Sequence, residues 1–112
     1  MTTAATDSLS MKTTQLYING EWRDGSNGDT YDVINPATEE IITELPEDTL
    51  ESIQAKLVSL RKGQKEWAKK PVEERLAIII QFGELVKANK EELAFVLTSE
   101  TGKPIAQSRN EV

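Results

Sequence analysis

The sequence predicts an α+β fragment, short antiparallel strands followed by two to three helices, and three observations carry that expectation. Asn19-Gly20 stands between two short β-prone runs, the strongest local signal for a type I′ hairpin. From Leu50 onward the apolar residues take helical spacing. The final segment, opened by Pro104, reaches Val112 without a cap or stop signal, so the sequence reads as ending inside an element.

Residues 1–15 are mostly Thr, Ser and Ala and carry no apolar stretch of the kind a secretory signal needs; a disordered tail is expected there. Leu16-Tyr17-Ile18 and Glu21-Trp22-Arg23 then make the hairpin. A turn-rich connection, Asp24 to Asp29, leads to a third strand at Tyr31–Ile34. Asn35-Pro36 breaks that strand, because Pro36 cannot donate to a ladder and biases Asn35 toward extended geometry. Ile41 to Leu45 forms a fourth strand closed by Pro46, and the four together suggest a small antiparallel meander.

Asp48-x-x-Glu51 reads as a capping-box variant at the start of a first helix running to about Lys69. Its stripe is narrow: Leu50, Ile53, Leu57, Leu60 and Trp67. Arg61, Lys62, Lys65, Lys69 and Lys70 place positive charge toward its C-terminal end, where the helix dipole favours it, and read as a solvated face. Pro71 suits the first position of the next helix, with Glu73 and Glu74 near its positive pole. There Leu76, Ile79, Ile80, Gly83 and Val86 form one apolar row and Ile78, Phe82 and Leu85 a second. Together they cover an arc of roughly 220°, against the ~100° of a surface helix. Such a core helix needs partners on two sides, and Gly83 within the arc would let another helix approach closely. Asn89 interrupts the run, Lys90-Glu91-Glu92 restarts it, and Thr101-Gly102 stops it. Ile105 and Val112 would share the inner face of the segment after Pro104.

Composition narrows function more than it defines it. The chain has 112 residues, enough for one domain at most. There is no cysteine and no histidine, which excludes a disulfide frame, thiolate or imidazole nucleophiles and the usual zinc ligand sets within these residues. A net charge of −6, with both signs mixed along the helices, argues against a nucleic-acid footprint and against an anionic membrane surface. The cysteine-free composition is compatible with the cytoplasm, the expected location.

Gly102-Lys103-Pro104 lacks the spacing and the preceding strand of a phosphate loop, and reads as a helix stop and restart. No G-x-G-x-x-G occurs. The carboxylate pairs Glu39-Glu40, Glu73-Glu74 and Glu91-Glu92 are sequence neighbours whose side chains diverge, and two of them sit at helix starts. Trp22 and Trp67 are read as core or interface anchors. No catalytic, cofactor-binding or metal-ligating residue is assigned.

The order of motifs is more specific than any one of them. Tyr17-Ile18-Asn19-Gly20-Glu21-Trp22 is followed by Val33-Ile34-Asn35-Pro36-Ala37-Thr38, then by Trp67 shortly before Pro71-x-x-x-Arg75. Glu100-Thr101-Gly102-Lys103-Pro104 and Glu111-Val112 complete the set. In this order the motifs resemble the N-terminal segment of the NAD(P)-dependent aldehyde dehydrogenases, over about Leu16 to Val112. The resemblance implies that residues 16–112 are an incomplete N-terminal portion of a cofactor-binding, Rossmann-like domain. The rest of the domain would cover the two-sided apolar helix, and the whole protein would be a homo-oligomer using NAD or NADP. In that family a cysteine thiolate attacks the aldehyde, hydride passes to the nicotinamide and a glutamate-activated water releases the acid. The family's catalytic and cofactor-contacting residues would lie beyond Val112, so this chain alone is expected to bind no cofactor and to be inactive. Some members hold a structural monovalent cation through the carbonyl before the Asn-Pro, the place of Ile34; its other ligands would lie at or beyond Val112. The alternative is a stand-alone protein-interaction module derived from the same family.

Overall fold

The computed structural model describes residues 15–26 and 28–112, in two compact units that meet at Lys56–Leu57. The expected tail at 1–15 lies outside the described residues except for Gln15, which opens a strand. The first unit contains β1 (Gln15–Ile18), β2 (Glu21–Asp24), β3 (Thr30–Ile34) and β4 (Ile41–Pro46), and then the opening turns of α1 (Leu50–Lys69). The second holds the rest of α1, with α2 (Val72–Ala88), α3 (Lys90–Thr101) and α4 (Ile105–Glu111). Among the described residues there are four helices, because Asn89 divides one apolar run and the residues after Pro104 complete two turns.

β1 and β2 pair antiparallel through a two-residue turn, with Ile18 opposite Glu21. Asn19 and Gly20 both take positive φ, 54° and 78°, as a type I′ turn requires. Across the hairpin Tyr17 and Trp22 face each other, their ring centroids 5.2 Å apart and tilted by 59°. β3 pairs only with β4, so the strands form two separate two-stranded sheets, not the expected four-stranded meander. The connection after β2 explains the difference. A Cβ on Gly25 would come within 2.2 Å of Pro46 Cγ, and one on Gly28 within 2.4 Å of the Glu47 carbonyl oxygen. Ser26 Oγ donates to that same Glu47 carbonyl at 2.7 Å, and the Glu47 amide donates to the Asp29 carbonyl at 2.6 Å. The connection is thus bound to the end of β4, where β3 pairs.

Between β3 and β4 the Asn35 carboxamide accepts a hydrogen bond from the Ala37 amide at 2.9 Å. The Asn35 backbone closes the loop, donating to the Glu40 carbonyl and accepting from the Glu39 amide. Glu39 takes φ 63°, and the register shifts by one residue between Val33 and Ile34.

The cap of α1 is Thr49, one residue after the expected Asp48. Thr49 Oγ1 accepts from the Ser52 amide at 3.1 Å, the third residue of the helix, and the Thr49 carbonyl takes the first helical bond from Ile53. Asp48 lies outside the helix and accepts instead from Ser52 Oγ and Lys56 Nζ. Asn89 serves two helices. Its amide N–H and its side-chain Nδ2 both donate to the Leu85 carbonyl at the end of α2, while its own carbonyl accepts from Leu93 in α3. Gly102, at φ 72°, ends α3 in the left-handed conformation, its N–H bonded to the Thr98 carbonyl.

The packed centre of the second unit is small. α4 folds back along α3, and the buried residues among those described are Ala94 and Ser108, both fully inaccessible. Ser108 and Thr98 share a hydroxyl–hydroxyl hydrogen bond of 2.7 Å. Arg109 donates to both carboxylate oxygens of Glu91 at 2.9–3.1 Å. Ile105, Ser108 and Val112 form the inner row of α4, with Ser108 between the two apolar positions the spacing singled out. α2 buries nothing fully; Leu76 is 58% exposed, Ile79 and Ile80 are both 59% and Phe82 is 65%.

Candidate functional site

Several of the charged residues that could carry chemistry are held in ion pairs. Lys103, the lysine of the apparent phosphate loop, reaches from the α3–α4 turn to Glu111 at the far end of α4. Glu91, first of a carboxylate pair, is held by Arg109, and that guanidinium draws its carboxyl below the usual glutamate range. The Glu91 carboxylate in turn raises the Arg109 guanidinium. Glu73 and Glu74 lie in the first turn of α2, where Glu74 stands 3.9 Å from Lys70. Hydrogen bonds from Lys56 and Ser52 lower the Asp48 carboxyl. Lys69 pairs with Glu66, one of the contacts that occupy the basic end of α1.

Among the described residues no three of His, Cys, Asp and Glu gather to hold a metal. No helix among the described residues is long and apolar enough to cross a membrane. A hollow of about 350 Å³ among the described residues of the first unit is lined by Gln15, Leu16, Tyr31, Leu45, Pro46, Glu47 and Asp48. Its charged lining is anionic, and Asp48 is stabilised in that form, so the hollow opposes the pyrophosphate of a dinucleotide.

The surface that stands out is the apolar side of α2, where a wide arc with the pattern of a core helix faces solvent. Exposed Leu57, Val58 and Leu60 extend this character onto α1. The sequence marks the arc by periodicity. It also marks Arg75, whose neighbours at three and four residues, Pro71, Val72, Ile78 and Ile79, are all apolar; that signal lay within a motif read only for its order. Arg75 Nε is buried and has no hydrogen-bond partner.

The described residues thus form two hairpins, a long capped helix and a largely apolar second helix whose large side chains are exposed. The Aldehyde dehydrogenase family model matches residues 22–112, so the chain belongs to that family. The malonate-semialdehyde dehydrogenase of Bacillus velezensis is 38% identical over 96 residues, which are 86% of this chain and 20% of that protein. The 3,6-anhydro-alpha-L-galactose dehydrogenase of Vibrio sp. strain EJY3 is 34% identical over 93 residues, 83% of this chain and 19% of that protein. Among solved structures, an aldehyde dehydrogenase of Brucella melitensis superposes with a TM-score of 0.83 at 34% identity, covering 91% of this chain and 21% of that one. The betaine aldehyde dehydrogenase of Staphylococcus aureus, solved in complex with NAD+, gives 0.84 at 29% identity, over 97% and 22% respectively. The chain therefore spans about a fifth of the length of these relatives and corresponds to an N-terminal segment of the family.

Proposed function

We propose that these residues form the N-terminal part of the cofactor-binding domain of an NAD(P)-dependent aldehyde dehydrogenase, a cytoplasmic homo-oligomer that oxidises an aldehyde to a carboxylic acid. Their contribution is structural. The hairpins and helices frame the domain, and the apolar side of α2 packs against the remainder of the same subunit. The observation that carries this reading is the family match over residues 22–112, on a chain whose most apolar helix has no buried residue of its own.

The 112-residue chain alone is inactive under this reading. It holds neither cysteine nor histidine, and the hollow of the first unit presents the carboxylates of Glu47 and Asp48 where a dinucleotide would need donors. That hollow does not suit the cofactor, and under this reading no step of the reaction runs through these residues.

The test has two arms. The purified chain, given NAD or NADP and a panel of short aldehydes and semialdehydes, is expected to yield no reduced cofactor above background. Aldehyde-dependent reduction by the pure chain would overturn the inactivity. Substituted for the matching fifth of the Bacillus velezensis relative, the chain is expected to give a folded and active enzyme. An insoluble fusion would overturn the structural role.

A further inference from the structure

We propose that Arg75 is the docking point for a carboxylate carried by the segment that covers α2 in the complete subunit; the inference rests on the role proposed above. The Nε of Arg75 is buried without an acceptor, whereas Lys69, Lys87, Lys103 and Arg109 of the same unit each meet a carboxylate. Its own helix cannot supply one. Side chains meet along a helix at three and four residues' separation, and at those positions Arg75 has only Pro71, Val72, Ile78 and Ile79. The adjacent Glu74 lies toward Lys70.

The setting selects the partner's chemistry. Ile78, Ile79 and Phe82, at three, four and seven residues from Arg75, lie on its side of α2 and expose apolar surface. A cover laid over them withdraws water from the guanidinium as well, and a buried, permanently charged group needs a counter-charge as well as hydrogen bonds. The planar fork of an arginine matches the two oxygens of a carboxylate, which satisfies both needs together; a carbonyl supplies the hydrogen bond and leaves the charge. Relatives are about five times the length of the matched stretch, so the subunit has ample chain to provide this cover.

The experiment places the full 112-residue chain in the Bacillus velezensis relative in place of the matching stretch, with Arg75 intact, Arg75→Met or Arg75→Lys. Arg75→Met is expected to lower the apparent melting temperature of the fusion by roughly 5 °C or more, and Arg75→Lys by less, since it keeps the charge and loses the fork. The helical circular-dichroism melt of the isolated chain should not change with Arg75→Met. Fusions that all melt together would overturn the inference. So would an equal loss in the isolated chain, since Arg75 would then act within its own unit. An insoluble fusion with Arg75 intact is a separate result: it overturns the structural role, and the docking point with it.

Discussion

Among the described residues Glu39 carries a clear backbone penalty. An L-residue with a side chain pays roughly 1–2 kcal/mol in the left-handed region, and Glu39 sits there at φ 63°. Glu39→Gly relieves that penalty and returns part of the gain as unfolded-chain entropy, for a net stabilisation of about 1 kcal/mol. A higher temperature for loss of strand signal by circular dichroism is the expected result; an unchanged or lower one would show that the Glu39 side chain offsets the strain. Asn35-Pro36 announced a loop here, but the loop's backbone bonds decide which residue turns left-handed, and no property of glutamate signals that. The ionised residues make a second prediction. Asp48 and Glu91 both have lowered folded pKa values, so their stabilisation is complete above ordinary carboxylate values and is lost as pH falls through the lowered ones. Helical signal should hold from neutrality to about pH 5 and decline below about pH 4, and Glu91→Gln should remove the share that belongs to the α3–α4 clasp.

At the scale of elements, what the sequence discloses depends on how local the cause is. The type I′ turn at Asn19-Gly20, the break at Asn89 and the stop at Gly102 are each decided by one or two residues, and all three stand where the sequence puts them. The start of α1 moved by one residue because Asp48 and Thr49 are both competent caps; Lys56, two turns away, claims Asp48. Pairing of β3 with β4 alone depends on the fit of Gly25 and Gly28 against Pro46 and Glu47, a contact across about twenty residues that no strand periodicity encodes. α2 offers the prediction at this scale. A Cβ on Gly83 meets nothing within 4 Å, so Gly83→Ala should raise the helicity of the isolated chain by about 1 kcal/mol of propensity. In the fusion with a relative the same change should be destabilising, if another helix rests on that glycine. Gains in both settings would mean that no close approach occurs there.

For the molecule as a whole, the relevant comparison is between apolar pattern and burial. Ala94 and Ser108 are the buried residues among those described, while many of the large apolar side chains of α1 and α2 are exposed. The isolated chain should therefore bind a hydrophobic dye such as ANS and melt over a broad range. A sharp cooperative melt with dispersed amide resonances would favour the stand-alone interaction module. The family was legible because it rests on ordered motifs spread from Tyr17 to Val112. Arg75 was not singled out, because its significance depends on a buried atom and sequence shows only its apolar neighbours. The dual role of Asn89, which ends α2 and begins α3, has a consequence for synthesis. In a subunit built as proposed, both helices leave the ribosome well before the chain that would cover them. At about 5–20 residues per second the apolar side of α2 then waits tens of seconds for its cover. During that interval the bonds at Asn89 let the two helices form locally, without distant chain, and α2 is offered to chaperones as an already folded amphiphile.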